Sequence, residues 1–186
     1  MQITSLAIPE VKLVRPVKHG DARGFFSETY ARRDFEAAGI IGELVQDNQS
    51  LSAATGVVRG LHFQIPPHAQ AKLVRVVRGA ILDVAVDIRH GSPTFGEHVT
   101  AELSAENWCQ LWVPKGFAHG FCTLAPMTEV VYKVSDYYAP DCDKGMFWSD
   151  PALAIRWPVA AMAATVSAKD AILPRLIDLP CYFRYP

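Results

Sequence analysis

The sequence predicts an all-β sandwich or barrel with a few short helices. The chain has 186 residues, of which 50% are hydrophobic and 20% are charged, and this composition suits one soluble globular domain over residues 1–186. Short runs rich in β-branched and aromatic residues recur along the chain, and Gly, Pro, Asp or Asn interrupts them. Many short strands at this spacing are typical of sandwiches and barrels.

The predicted strands follow β-rich runs and end at turn-forming residues. They span residues 3–8, 13–16, 24–29, 44–50, 57–64, 72–78, 80–89, 96–103, 110–113, 120–123 and 129–135. Turns are predicted at residues 19–21, 78–79, 90–93 and 114–116, where glycine, proline or aspartate lies between the runs.

Two helices are predicted. The first spans residues 31–39, because charged residues surround a single phenylalanine and Gly39 stands where a helix commonly ends. The second is short and begins at Ser167, because Ser167 and Asp170 have the spacing of a capping box. From about residue 137 the chain becomes irregular and proline-rich, without a change in composition that would indicate a second domain.

The strand predicted at residues 80–89 carries two aspartates on one face. Residues 82, 84, 86 and 88 are aliphatic and form one face, whereas Asp83 and Asp87 point to the other. A carboxylate inside a barrel costs free energy unless it is paired. Asp83 is therefore expected either to face solvent or to have a partner.

Charge and cysteine content exclude several classes of function. With 18 basic and 19 acidic residues, the formal net charge is −1, which gives no reason to expect a nucleic-acid or membrane partner. The start of the chain does not resemble a signal peptide, and no segment approaches the ~20 apolar residues of a membrane-spanning helix. The four cysteines form no C-x-x-C pair, so we expect free thiols and a cytoplasmic location.

The most informative tract is Arg59-Gly60-Leu61-His62-Phe63-Gln64. A histidine held on a strand can move a proton near neutral pH. The arginine three residues earlier can hold an anionic substrate. No Rossmann, P-loop or G-x-S-x-G motif accompanies this tract, so nucleotide-fold and serine-hydrolase chemistry are not indicated.

A comparison with cupin barrels addresses metal binding. Those barrels bind metal through an H-x-H pair, a later glutamate and a further histidine. Here the first motif reads His62-Phe63-Gln64, so one ligand is missing, although residues 114–119 match the second motif, P-x-G-x-x-H. Too few ligands remain for a tight site, so we predict no metal and no cofactor. His62 and His119 are then free for acid–base chemistry.

From about residue 8 to about residue 178 the chain resembles the dTDP-4-dehydrorhamnose 3,5-epimerase family. The resemblance is carried by HGDARGFFSE at 19–28, VVRGLHFQ at 57–64 and VPKGFAHGF at 113–121, and by shorter stretches at 46–48, 69–76, 83–87, 91–96, 103–107, 132–133, 136–140 and 153–158. So many stretches that match in the same order along the chain are highly specific to this family. The resemblance implies a cupin-like jelly roll.

The resemblance also implies a reaction, in which dTDP-4-dehydro-6-deoxy-D-glucose is inverted at C3 and C5 on the way to dTDP-L-rhamnose. Both carbons flank the C4 ketone, so loss of a proton from either gives an enolate. Such an enzyme needs a base on one face of the sugar, an acid on the other, and a positive group or donor at the enolate oxygen. It needs no redox cofactor or metal.

Four catalytic roles follow from the resemblance by position. His62 matches the base, and Asp170 matches the carboxylate that orients and polarises it. Tyr132 matches the acid on the opposite face, and Lys72 matches the cation beside the enolate. Each of the four also has a structural alternative. His62 could be a satisfied core histidine, Asp170 could cap a helix, Tyr132 could pack in the core, and Lys72 could be a solvated edge residue.

The remaining matches concern substrate binding. His119 lines the same pocket, with Asp83 as a supporting partner that fixes its tautomer. The other matching positions are Arg59 and Arg23 for the diphosphate, Glu28, Gln46 and Asn48 for polar contacts to the nucleotide, Phe26 and Tyr138 near the thymine, and Lys169 and Asp143 as further ligand positions. Tyr138 follows Tyr137, and neighbouring residues on a strand face opposite ways, so at most one of them is expected to meet the ligand.

Members of this family are homodimers with N-terminal strands crossing between subunits, so residues 23–28 are expected to complete the neighbour's pocket. Three alternative functions remain open. They are a mono-epimerase acting at C3 or C5 alone, a non-catalytic sugar-nucleotide-binding cupin, and a metal-dependent cupin oxygenase.

Overall fold

The computed structural model describes residues 1–186 and contains two large antiparallel sheets. The strands are β1 (Gln2–Ser5), β2 (Lys12–Arg15), β3 (His19–Asp21), β4 (Gly24–Phe26), β5 (Gln46–Ser52), β6 (Val58–Gln64), β7 (Lys72–Arg78), β8 (Ala80–Asp87), β9 (Arg89–His90), β10 (His98–Ser104), β11 (Gln110–Val113), β12 (Phe117–Thr123), β13 (Thr128–Val134), β14 (Asp143–Gly145) and β15 (Phe183–Arg184). The α-helix α1 is Arg32–Ala37, and 3-10 turns occur at Pro140–Cys142, Pro151–Leu153, Ala161–Ala163, Asp170–Ile172 and Leu176–Asp178.

The strand order gives the predicted cupin-like jelly roll. One sheet has the order β1-β2-β11-β7-β13-β5, and the other has the order β10-β8-β12-β6-β14. Every neighbouring pair within these sheets is antiparallel. Two small pairs complete the fold, an antiparallel hairpin of β3 and β4 and a parallel pair of β9 and β15.

The main core lies between the two large sheets. It joins Val74 on β7 and Leu111 on β11 to Ile81 and Ala85 on β8 and Phe121 on β12. These residues come from strands of both sheets, and each is almost fully buried. Burial of this apolar surface is the main force that holds the sheets together.

The outer face of the second sheet is also buried, so β8 has no face that is exposed to solvent. Val84 and Val86 pack in a second cluster, and the irregular C-terminal segment covers it with Leu176, Leu179 and other side chains. The two faces of β8 are therefore both inside the protein, as in a strand buried on both sides.

Most predicted elements form close to their expected positions. Strands at residues 72–78 and 110–113 have the predicted bounds, and α1 lies within the predicted helix. Gly39 follows that helix with a positive φ of 78°, the left-handed conformation that favours glycine.

Two predictions about strands and turns were wrong, and two strands were not predicted. Residues 19–21 form β3 instead of a turn, because they pair with β4 in a hairpin. Strand β12 begins at Phe117, three residues before its predicted start, because it continues its pairing with β8. Strands β14 and β15 were not predicted at all, since each is short and receives its backbone partner from a distant part of the chain.

The predicted C-terminal helix is only a 3-10 turn at Asp170–Ile172. The Ser167 hydroxyl accepts a hydrogen bond from the Asp170 backbone N–H at 3.0 Å, as in half of a capping box. The Asp170 carboxylate does not complete the box, because it bonds to groups on β6. None of the helices has the length and apolar character that crossing a bilayer requires.

Candidate active site

A cavity of about 540 Å³ opens between the inner faces of the two sheets. Its walls include His62 from β6 and His119 from β12 on one side, and Lys72 from β7 and Tyr132 from β13 on the other. Asp170, Lys169 and Arg59 also line it. The fold thus collects residues from distant parts of the chain, including all four predicted catalytic residues, in one space.

His62 and Asp170 form a hydrogen-bonded pair. The His62 Nε2 atom lies 2.7 Å from Asp170 Oδ1, and the backbone N–H of Gly60 donates to Asp170 Oδ2 at 3.3 Å. Because an ionised carboxylate only accepts hydrogen bonds, Nε2 carries the proton in this pair. Nδ1 of a neutral His62 is then the ring nitrogen that can accept a proton.

The environment of His62 keeps its imidazole ready to act as a base. Burial lowers the pKa of His62 below its ordinary 6.5, and the hydrogen bond and negative charge of Asp170 oppose this effect only in part. Lys72 lowers the pKa further through its positive charge. The imidazole is therefore neutral at pH 7, as a proton acceptor must be.

His119 lies directly across the strand pair from His62. The two are register partners on antiparallel β6 and β12. A Cβ on Gly60 would come within 2.5 Å of the Gly120 Cα, so this close approach requires glycine. His119 Nε2 lies 2.7 Å from Asp83 Oδ1.

Asp83 on β8 is buried beside His119 and does not face solvent. It is fully buried, and its Oδ1 has a partner in His119, whereas its Oδ2 has none. It faces the inside of the barrel together with Ile81 and Ala85, and its carboxylate fixes the orientation of the His119 ring. The solvent-facing alternative is excluded for this residue.

Lys72 is a buried cation beside the histidine. Only 9% of it is exposed, and its Nζ donates a hydrogen bond to the His62 carbonyl at 3.2 Å. Burial lowers the pKa of Lys72 to about 8, against the opposing negative charges of Asp143 and Asp83. The alternative of a solvated edge residue is therefore wrong, and near neutral pH the cavity holds an ammonium group with few protein partners.

Tyr132 presents a phenol from the wall opposite His62. It lies on β13, which belongs to the other large sheet, and it is only partly buried. Burial raises the pKa of Tyr132 above its ordinary 10.0, and the positive charge of Arg59 opposes that rise. The phenol therefore stays protonated at neutral pH and can donate a proton from the face opposite the imidazole.

A second cavity of about 400 Å³ shares His62, Lys72, Tyr132 and Lys169 with the first. Its further polar lining comes from Gln46, Asn48, Gln64, Gln70, Tyr138 and Asp143. The two cavities are therefore neighbours, and three of the four catalytic candidates line both of them. Tyr138 is part of this lining and Tyr137 is not, although neither residue lies on a strand as the prediction assumed.

Hydrogen bonds order the walls of the second cavity. Gln46 Nε2 donates to Asn48 Oδ1 at 2.8 Å, and Gln46 Oε1 accepts from the Tyr138 backbone N–H at 3.0 Å. Lys169 Nζ donates to Asp143 Oδ2 at 2.5 Å, and this bond raises the pKa of Lys169. Lys169 therefore remains a cation at the edge of the site.

Arg59 supplies a further cation at the mouth of the first cavity. Its Nε donates to Ser52 Oγ at 3.2 Å, and its Nη2 donates to the Leu51 carbonyl at 3.1 Å. These bonds to β5 leave other guanidinium N–H groups available. A guanidinium held in this way suits phosphate oxygens.

Arg23, Phe26 and Glu28 are not brought to either cavity within one chain. Arg23 bonds to Asp21 at 2.5 Å with 90% of its side chain exposed. Phe26 is 71% exposed, and Glu28 lies 3.8 Å from Arg33 on the surface. The predicted grouping of these three residues with the others therefore does not occur in the single subunit, because the β3–β4 hairpin carries them away from the site.

Some lining residues were not predicted. They are Ser50, Val57, Val58, Phe121, Thr165, Val166 and Ser167 in the first cavity and Phe63, Gln64 and Gln70 in the second. The period-2 alternation of β5 could have indicated Ser50, because it continues the inward face of Gln46 and Asn48. Thr165 and Ser167 lie in an irregular segment, where no periodic signal exists.

No cluster of three or more His, Cys, Asp or Glu side chains is arranged to share a metal ion. His62 and His119 each direct Nε2 at a carboxylate. What the site presents is a base paired with a carboxylate, a phenol on the opposite wall and a buried ammonium. These are the groups needed to remove and return a proton next to a carbonyl.

The opposing protonation needs of His62 and Lys72 predict a bell-shaped pH profile. A base must be neutral, so kcat/KM should rise with pH through the lowered pKa of His62, below 6.5. A cation must be protonated, so kcat/KM should fall through the Lys72 pKa of about 8. In Lys72→Arg the guanidinium stays charged, and the alkaline limb should move to higher pH. An alkaline limb that does not move would exclude Lys72 as its source.

Comparison with known proteins identifies the family. Residues 5–178 match the family model described as dTDP-4-dehydrorhamnose 3,5-epimerase. A protein of that name from Sinorhizobium fredii is 54% identical over 185 residues, covering 100% of this chain and 94% of the relative.

Two solved structures share the fold and much of the sequence. An epimerase from Legionella pneumophila in complex with dTDP-4-keto-L-rhamnose has a TM-score of 0.94 and 45% identity, covering 100% of this chain and 98% of that one. A Bacillus anthracis dTDP-4-dehydrorhamnose 3,5-epimerase with TDP and PPi bound has a TM-score of 0.90 and 50% identity, covering 94% and 98%. The chain described here belongs to the dTDP-4-dehydrorhamnose 3,5-epimerase family.

Proposed function

We propose that this protein is an isomerase that inverts dTDP-4-dehydro-6-deoxy-D-glucose at C3 and C5 to give dTDP-4-dehydro-L-rhamnose, in the biosynthesis of dTDP-L-rhamnose. The observation that carries the proposal is the His62–Asp170 pair and Tyr132 on opposing walls of one cavity, with Lys72 buried beside them. Membership of the epimerase family supports the substrate.

The first step is removal of a proton from carbon. Nδ1 of His62 takes the proton from C3, and the C–H electron pair moves into the ring to form the enolate of the C4 ketone. Asp170 stabilises the imidazolium that forms, since its carboxylate lies 2.7 Å from Nε2. The negative charge that develops on the ketone oxygen is stabilised by the buried Lys72 ammonium.

The second step returns a proton to the opposite face of the same carbon. The Tyr132 phenol donates it, the enolate collapses to the ketone, and the configuration is inverted. Exchange with solvent then restores the neutral imidazole and the phenol. The same sequence at C5 completes the double inversion, with His119, held by Asp83, as a further donor near the sugar.

The nucleotide occupies the remaining part of the site in this proposal. Arg59 binds the diphosphate, because its guanidinium is held at the cavity mouth by bonds to β5. Gln46, Asn48 and Tyr138 contact the nucleoside along the second cavity, and Lys169 with Asp143 forms its edge.

A homodimer would bring the missing substrate contacts into the site. Lys18 lies 4.7 Å from the Phe25 ring and 4.1 Å from the Trp108 ring, and this stack holds the base of the β3–β4 hairpin. Arg23 and Phe26 project from the hairpin into solvent. We infer that the hairpin crosses to a second subunit, where Arg23, Phe26 and Glu28 complete the pocket around the diphosphate and thymine.

Subunit complementation tests the shared site. Arg23→Ala and His62→Asn homodimers should both have little activity at low substrate concentration. If Arg23 serves the neighbour's His62, mixed dimers contain one site with neither defect, so activity should return after the two variants are unfolded and refolded together. If mass spectrometry showed that mixed dimers had formed and activity still did not return, the exchange of hairpins would be contradicted.

The cysteines support a reducing compartment. Cys109, Cys122 and Cys142 are buried and free, and Cys181 is exposed and free. We propose a cytoplasmic location on this ground.

A coupled assay tests the reaction itself. The purified protein is mixed with dTDP-4-dehydro-6-deoxy-D-glucose, a reductase that forms dTDP-L-rhamnose, and its nicotinamide cofactor. Formation of dTDP-L-rhamnose that depends on this protein is expected. A product inverted at only C3 or C5 would favour the mono-epimerase, and binding of the nucleotide sugar without turnover would favour a non-catalytic cupin.

A further inference from the structure

The inward face of β5 is a ladder of four polar side chains. Gln46, Asn48, Ser50 and Ser52 alternate with more exposed residues along the strand. Gln46 and Asn48 bond to each other, and Ser52 accepts a bond from Arg59. Three of the four therefore have a defined hydrogen-bonding role in the walls of the site.

Ser50 is the exception. Its Oγ is buried and has no hydrogen-bond partner, although the residue lines the first cavity. A buried hydroxyl without a partner destabilises a protein, and native structures contain few such groups. A hydroxyl donor without a partner at a cavity wall gains one when a ligand group fills the cavity within hydrogen-bond distance.

The position of Ser50 along the barrel indicates which part of the ligand it meets. In the pairing of β5 with β13, Asn48 lies opposite Tyr132 and Ser50 lies opposite Val130. Ser50 is thus one inward position from the catalytic layer, about 7 Å along the strand. The next inward residue, Ser52, holds Arg59. Along β5, Ser50 therefore lies between the position beside Tyr132, the proposed proton donor to the sugar, and the position that holds Arg59, the proposed diphosphate ligand.

We propose that Ser50 is a substrate-binding residue whose hydroxyl donates a hydrogen bond to the sugar-proximal phosphate of the nucleotide. The inference rests on the proposed function and adds a ligand contact to it. A serine hydroxyl can donate to a phosphate oxygen, and bonds to charged acceptors are stronger than neutral ones. Together with Arg59 it would fix the phosphate next to the sugar, and thereby the distance of C3 and C5 from His62.

Binding of three nucleotides to Ser50→Ala tests the contact. Titration calorimetry with dTMP, dTDP and dTDP-glucose separates the groups involved, since dTMP lacks the second phosphate and dTDP-glucose lacks the 4-keto group and is not turned over. We expect affinity for dTDP and dTDP-glucose to fall by roughly tenfold to a hundredfold, the usual range for a hydrogen bond to a charged group, and affinity for dTMP to stay unchanged.

Two control variants keep the result interpretable. Ser50→Thr retains the hydroxyl and should keep most of the dTDP affinity, whereas Gln49→Ala changes the outward face of the same strand and should keep all of it. The melting temperature of unliganded Ser50→Ala should not fall, because the variant removes a buried hydroxyl that has no partner in the free protein.

The possible outcomes are distinct. Equal affinities of Ser50→Ala and wild type for dTDP would overturn the inference. So would a loss seen only with dTDP-glucose, which would indicate a sugar contact, or an equal loss with dTMP, which would indicate a general distortion of the site. If the wild-type protein bound none of the three nucleotides, the proposed function itself would fail.

Discussion

His62→Asn is expected to lower kcat by about 10²–10⁴-fold, the range usual for general acid–base catalysis, with dTDP affinity close to that of the wild type. The variant loses the ring nitrogen that accepts the proton. Asparagine keeps a polar side chain at this position, but its amide ends where Nδ1 lies and does not replace the Nε2 bond to Asp170, whose carboxylate keeps the bond from the Gly60 N–H. Measurement requires kcat from the coupled assay and the dTDP dissociation constant from calorimetry.

His68→Asn is the matched control for this variant. His68 is half exposed and lies 3.4 Å from Asp136, outside the lining of both cavities. Wild-type activity is expected there. If His62→Asn turned over substrate at the wild-type rate, another group would have to be the base.

Tyr132→Phe should lose turnover by a similar factor of about 10²–10⁴, but for a different reason. Its base is intact, so the C–H bond still breaks, whereas no phenol is left to donate from the other wall. In heavy water, deuterium carried by His62 should therefore enter the recovered substrate without inversion. NMR of the sugar protons after partial reaction measures label and configuration together.

Tyr137→Phe provides the control, since Tyr137 is 65% exposed and does not line the cavities. It should invert substrate at the wild-type rate. Inversion by Tyr132→Phe at a normal rate would mean that the returning proton comes from elsewhere, with His119 as the first group to test.

The sequence predicted the fold well wherever structure is local or periodic. Strands β7 and β11 had the predicted bounds, since alternation and flanking turn residues define them. The short β14 and β15 were missed, because their pairing partners on β6 and β9 lie far away in sequence. The two buried faces of β8 could not be predicted either, since the covering layer is an irregular segment without periodicity.

The candidate site, too, was predictable from the sequence only where the signal is local. A motif on one strand was enough to single out His62, but residues contributed by other elements were grouped only through the family resemblance, and the structure brings Asp170, Lys72 and Tyr132 to the same cavity. The hairpin residues Arg23 and Phe26 remain exposed outside this cavity, and only the proposed exchange of hairpins with a second subunit would place them in a site. The unpaired hydroxyl of Ser50 is visible only when the hydrogen bonds around it are known.

The central claim is that one imidazole and one phenol exchange protons at both carbons next to the ketone. Incubation of the wild-type protein with dTDP-4-dehydro-6-deoxy-D-glucose in heavy water tests it most directly, with NMR used to locate deuterium in the product. Label is expected at both C3 and C5, each in the inverted configuration. Label at one carbon alone would contradict the double inversion, and product without any label would contradict proton abstraction by a solvent-exchanging base.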